Sequence, residues 1–80
     1  MDRQEIITSV QNIFIDILDN EDIVLTDETT LDDIEEWDSL THIQLIVAIE
    51  KGLKVRFTSQ EIISWKNVGE MIDCILTKFK

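Results

Sequence analysis

Proline is absent from this 80-residue sequence, and glycine occurs only at Gly52 and Gly69. No repeat or low-complexity tract interrupts the chain, so residues 1–80 are expected to form a single domain. Cysteine is confined to Cys74, which excludes an internal disulfide and a thiolate metal cluster. No apolar run approaches the roughly 20 residues needed to span a bilayer. The opening MDRQEIITSV lacks the basic and then apolar layout of a signal peptide. A reduced, cytoplasmic protein with no membrane segment is expected. Basic residues are missing over a long interval: from Gln4 to Glu50 there is neither Lys nor Arg.

That interval holds most of the acids, from Asp16 through Asp38, and the formal net charge is −10. The bases gather after Glu50, at Lys51, Lys54, Arg56, Lys66, Lys78 and Lys80. Such a field repels phosphate backbones, so nucleic acid is not an expected partner. It attracts basic protein surfaces and speeds encounter with them. Plain solvation of the acids is the alternative that charge alone leaves open. The 44 % hydrophobic content is enough for a core and argues against disorder. Crowded carboxylates also repel one another, so salt or millimolar Mg²⁺ is expected to raise the melting temperature.

Hydrophobic periodicity predicts an all-α fold, a four-helix bundle of three longer helices and one short one. The first helix runs over Asp2–Leu18, with a stripe of Ile6, Val10, Ile13 and Ile17 flanked by Ile7, Phe14 and Leu18, and Asp2 and Glu5 at capping-box spacing. The second runs over Ser39–Lys51. Its stripe is Leu40, Ile43, Ile46 and Val47, widened by Leu45 and Ile49, which predicts neighbours on more than one side. Asp38 or Ser39 supplies its N-cap, and Gly52 is the expected left-handed C-cap. A short helix over Thr58–Ser64 holds Ile62 and Ile63. The last runs over Asn67–Phe79, with Val68, Met71, Ile72, Ile75, Leu76 and Phe79 on one side and capping-box spacing between Asn67 and Glu70. The segments 23–25 and 55–57 are too short to build a sheet. The connection Asp19–Trp37 is long for a loop, and Ile23, Leu25, Leu31, Ile34 and Trp37 are its expected pegs into the core.

Chemistry is concentrated in Glu35-Glu36-Trp37-Asp38-Ser39-Leu40, where the acidic loop meets the second helix. Ser39 stands at a helix N-terminus, where the positive end of the dipole suits a phosphate ester. By position alone, a serine there is simply a cap. Ser39, His42 and Asp38 could suggest a nucleophile, a base and an orienting acid, but no oxyanion site or buried pocket accompanies them. The acids do not form a calcium loop, because no glycine falls between Asp16 and Asp38.

Nearly the whole chain resembles the acyl carrier protein family. Leu31-Asp32-Asp33-Ile34-Glu35-Glu36-Trp37-Asp38-Ser39-Leu40 is similar to the family's approach to its Asp-Ser-Leu attachment motif, and Thr41 to Glu50 to its recognition helix. Phe57, Glu61-Ile62 and Asn67 to Ile72 echo its third and fourth helices. Two positions depart from the family pattern. Glu36-Trp37 stands where many members carry a glycine, and Thr41, His42 and Gln44 replace acids, which implies partners that read shape and loop charge as well. The resemblance implies a 4'-phosphopantetheine arm, taken from coenzyme A and attached to Ser39, with Asp38 and Leu40 as the flanking motif. It implies a phosphopantetheinyl transferase, which binds the Mg²⁺ itself, and acyl-loading and acyl-processing enzymes with basic patches. Their expected footprint is Asp32, Asp33, Glu35, Glu36, His42, Ile43, Val47 and Glu50. The chain itself is expected to act as a monomer, to hold no metal, and to catalyse nothing while carrying acyl groups for fatty-acid, polyketide or other specialised biosynthesis. A peptidyl or aminoacyl carrier and an unmodified acidic interaction module are the competing readings. Trp37 and Trp65 are expected to plug the core, His42 to lie on the surface beside the arm, and Cys74 to be structural.

Overall fold

The computed structural model describes residues 2–79, the side chain of Leu31 excepted, so the peg expected at Leu31 lies outside the described residues. Four α-helices follow in order: α1 Arg3–Leu18, α2 Ser39–Leu53, α3 Ser59–Ser64 and α4 Val68–Lys78. A single 3-10 turn, Leu31–Asp33, interrupts the long connection between α1 and α2. No strand occurs among the described residues. Helix α1 packs against both α2 and α4. The core is built from Ile6, Val10, Phe14 and Leu18 of α1, Leu45, Ile49 and Leu53 of α2, and Val68, Met71, Ile72 and Ile75 of α4.

Each helix starts on a side chain that satisfies an orphan backbone N–H. Asp2 and Glu5 form a reciprocal capping box on α1, and Thr58 and Glu61 do the same on α3. On α4 Asn67 accepts from the Glu70 amide at 2.9 Å, and Glu70 does not return the bond. Two apolar stripes are rotated from their expected positions. On α1 the buried line is Ile6-Val10-Phe14-Leu18, a strict i, i+4 ridge, and Ile13 and Ile17 only flank it. On α2 the core side is Leu45, Ile46, Ile49 and Leu53, while Leu40, Ile43 and Val47 face outward. Helix α2 therefore has one packed side and one open side. On α3 Ile62 is half-buried, but Ile63 is 81 % exposed rather than held in the core.

Gly52 does not end α2. The helix continues to Leu53, and the left-handed C-cap falls on Lys54 at φ 59°. The left-handed conformation costs a non-glycine residue about 1–2 kcal/mol. Burying a leucine returns roughly 1.5–3 kcal/mol, and the continuation of the helix places Leu53 in the core. Gly52 instead sits where α2 passes α1, with Ile13 Cδ1 3.3 Å from the position of a Cβ.

The long loop is anchored along its length. Ile23, Leu25, Ile34 and Trp37 are all buried. Gln11 of α1 accepts from the Leu25 amide at 2.9 Å. The carbonyls of Thr29 and Asp27 accept from the Val68 and Gly69 amides at 2.8 and 2.9 Å, closing the free donors at the start of α4. That approach leaves no space at Gly69, where a Cβ would lie 2.8 Å from the Asp27 oxygen. Arg3 ties the same region together, donating to Asp27 at 2.8 Å and to Asp73.

Candidate functional site

The loop delivers the chain to α2 in a defined way. Asp38 is extended (φ −124°, ψ −173°), and its Oδ1 accepts from the amides of Leu40 at 3.0 Å and Thr41 at 2.9 Å. Thr41 Oγ1 accepts from the Asp38 amide at 2.8 Å and can donate to the Glu36 carbonyl at 3.0 Å. These bonds, led by the Thr41 amide, hold the Asp38 carboxyl below its ordinary pKa. The cap is therefore Asp38, and Ser39 is the first residue of the helix. Its side chain is exposed, and no hydrogen bond engages its hydroxyl among the described residues. Capping, which explains a serine at this place by position alone, is done by its neighbour.

Two of the other three serines differ. Ser64 donates to the Glu61 carbonyl at 2.7 Å, and Ser9 is half-buried within α1. Ser59 is also exposed and first in its helix, behind the Thr58 cap. Helix geometry alone does not distinguish Ser39 from Ser59. Their surroundings do: Ser39 adjoins the acidic loop on one side and an open apolar helix face on the other.

That face is made by Leu40, 68 % exposed, Ile43, 63 % exposed, and Val47, 44 % exposed. Asp32, Asp33, Glu35 and Glu36 are exposed on the approach. Two of them also hold the loop: Asp33 accepts from the Thr30 amide at 2.9 Å, and Glu36 accepts from Asn20 at 3.0 Å. Glu50 departs from the expected footprint. It is half-buried, and its Oε2 accepts from the Phe57 amide at 3.0 Å, bracing the α2–α3 connection.

His42 is half-buried rather than a free surface residue. Its Nδ1 accepts from Trp37 Nε1 at 3.0 Å, and burial pushes its pKa below the ordinary value. Trp37 meets Phe14 edge-on at 4.8 Å between centroids. With Asp38 committed to the helix and His42 to Trp37, neither is arranged to activate Ser39 as a nucleophile. Trp37 and His42 border a cleft of about 320 Å³, completed by Thr30 and by residues of α3, α4 and their connection, including Trp65 and Lys66. Trp65 meets Phe57 edge-on at 5.0 Å. Between α3 and α4, Lys78 donates to both oxygens of Glu61 at 2.8 Å and draws the Glu61 carboxyl down to about 2. Cys74 donates weakly to Glu61 at 3.5 Å, and burial raises its thiol. Among the described residues no three His, Cys, Asp or Glu side chains are grouped to hold a metal ion, and no helix is long and apolar enough to cross a membrane.

The sequence leaves the cap open between Asp38 and Ser39, and the structure settles it on Asp38. The spacing Asp38-x-x-Thr41 signals the cap, and it would have released Ser39 from that role. The Trp37–His42 bond carries no such signal, because a five-residue separation across a helix start has no fixed geometry.

A family profile described as the phosphopantetheine attachment site matches residues 8–75. The solution NMR structure of a holo acyl carrier protein from Geobacter metallireducens superposes with a TM-score of 0.86 at 40 % identity, over 91 % of this chain and 84 % of that one. Comparison with curated protein sequences gives no match. The chain belongs to the phosphopantetheine-attachment family, as an acyl carrier protein. Its cofactor is the covalent 4'-phosphopantetheine of that family. The local structure fits this group: an exposed, unengaged hydroxyl opens a helix whose dipole favours a phosphate.

Proposed function

We propose that Ser39 Oγ is the attachment point, and that residues 1–80 act as one monomeric carrier domain in the cytoplasm. The observation that carries this reading is where the uncommitted Ser39 hydroxyl stands, between the acidic approach and the open apolar side of α2, which sets it apart from Ser59. Asp38 caps the helix and leaves the Ser39 hydroxyl free in solvent. A phosphopantetheinyl transferase forms the phosphate ester at this oxygen as the phosphoanhydride of coenzyme A breaks and adenosine 3',5'-bisphosphate leaves. The hydroxyl proton leaves to a base on the transferase, which also binds the Mg²⁺. Phosphoryl transfer depends on positioning and charge neutralisation, which the transferase supplies. When bound, the arm supplies a terminal thiol that holds an acyl group as a thioester.

The protein itself catalyses nothing. It presents the cargo to enzymes of fatty-acid, polyketide or another specialised biosynthesis. These partners dock on the exposed side of α2, where Leu40, Ile43 and Val47 supply apolar contact. Asp32, Asp33, Glu35 and Glu36 supply charge for basic patches, and rim charges of this kind act mainly on association rate. His42 sits at the edge of this footprint, and Glu50 is set aside by its bond to Phe57.

The test is incubation with coenzyme A and a promiscuous transferase, followed by intact mass. Wild type is expected to gain one phosphopantetheine, and Ser39→Ala none. Gain in both would move the attachment elsewhere. Gain in neither would favour an unmodified interaction module.

A further inference from the structure

The hydrogen bond between Trp37 and His42 straddles the attachment point, joining the residue two before Ser39 to the residue three after it. Trp37 is 5 % exposed, its ring set edge-on to Phe14 and tilted 33° to His42 at 5.7 Å. It cannot turn without leaving the core. An indole N–H can only donate, so His42 Nδ1 must be the acceptor and the imidazole proton resides on Nε2. Protonating Nδ1 sets two donors against each other at that short distance.

We propose that His42 is a positioning residue: in its neutral form it accepts the Trp37 N–H, and this bond fixes the chain entering α2 so that Ser39 is presented for modification. Protonation of His42 releases the bond and loosens that presentation. The role rests on the assignment of Ser39 above.

The surroundings favour the neutral form. Burial lowers the His42 pKa, and among the described residues Lys66 is the one charged side chain that lines the cleft with it. The groups contributed to the cleft by the loop, Thr30 and Trp37, are uncharged, as are those from α3 and α4. At the cap of α2, Asp38 lies one turn before His42 with its Oδ1 held by the Leu40 and Thr41 amides. On the loop side, Asp33 and Glu36 are turned to Thr30 and Asn20. Among the described residues no carboxylate therefore pairs with the imidazole. The neutral acceptor persists at neutral pH, and the bond fails only below the ordinary histidine value of 6.5.

The experiment has two readouts on the full chain. In the ¹⁵N-labelled apo protein, the Trp37 indole N–H, assigned by comparison with Trp65→Phe, is followed from about pH 7.5 to about pH 5. One titration is expected, with its midpoint below 6.5, and it disappears in His42→Gln. Transfer rates with coenzyme A are then compared. His42→Ala is expected to slow modification roughly two- to tenfold, the rate equivalent of one net hydrogen bond. His42→Gln, whose side-chain carbonyl can accept the same N–H, is expected to restore it. The ratio of wild-type to His42→Gln rates should fall as pH is lowered, which cancels the pH dependence of the transferase. In a Trp37→Phe background, where the donor is gone, His42→Ala should have no further effect. An indole resonance that does not titrate, or equal rates for wild type and His42→Ala, overturns the proposal. Absence of modification in every variant overturns the Ser39 assignment and this role together. That case is told apart by an indole titration that persists.

Discussion

Asp38 and Ser39 show how one position takes over a task and frees the next. A carboxylate one residue before the helix accepts from the second and third helical amides, those of Leu40 and Thr41, so the Ser39 hydroxyl is not needed as the cap. Ser39 was legible in the sequence only through its neighbours and the resemblance they carry. By position alone it was indistinguishable from a cap. Glu61 is the contrasting case, a carboxylate spent wholly on structure. Its bonds from Lys78, and next from the Thr58 amide, hold it at about 2 against an ordinary 4.5. The folded state therefore binds this proton less readily than the unfolded chain. The associated stability is complete above 4.5 and is lost as pH falls from there towards 2. Glu61→Gln is expected to melt a few degrees below wild type at neutral pH and level with it near the lower limit of that window. Thermal melts across this range check it, and a gap that survives to the lower limit would contradict it.

At the scale of elements, α2 carries the functional argument because only one of its sides is packed. The sequence predicts a broad apolar stripe on α2, centred on Leu40, Ile43, Ile46 and Val47, with neighbours on more than one side. The core takes Leu45, Ile46, Ile49 and Leu53 instead, because helical periodicity fixes relative angles and not the partner. The outward side became visible only once α1 was seen to pack against Leu45, Ile49 and Leu53. The long loop was foreseen together with its pegs Ile23, Leu25, Ile34 and Trp37. Its contact with α4 was not, since a backbone approach leaves no mark beyond a glycine. The two glycines make this testable. At Gly69 a Cβ meets the Asp27 backbone oxygen at 2.8 Å, and Gly69→Ala is expected to cost about 1–3 kcal/mol. At Gly52 it meets only the flexible end of Ile13, inside a helix. Gly52→Ala is expected to stabilise by about 0.5–1 kcal/mol. Urea unfolding of both variants decides the matter, and like signs would show that the loop yields at Gly69.

On the scale of the whole molecule, charge is segregated as the sequence indicates. Arg3 is the only Lys or Arg before Lys51, and it bridges Asp27 of the loop to Asp73 of α4. The acids of the approach to α2 have no cation of their own nearby in sequence, which favours basic partners and costs stability by self-repulsion. Melting temperature is therefore expected to rise with salt and with millimolar Mg²⁺, and a value indifferent to both would show the acids too dispersed to matter. Fold, cofactor class and the balance of charge were all readable before the structure. The internal commitments of His42 and Glu50 were not, because they depend on which side chains the core brings within reach.

The most direct measurement is fragmentation of the modified protein by mass spectrometry after treatment with coenzyme A and a transferase. The added phosphopantetheine is expected on the peptide containing Ser39, with none on those containing Ser9, Ser59 or Ser64. Modification at Ser59, the other exposed serine that opens a helix, would show that the acidic approach and the open side of α2 do not select the site.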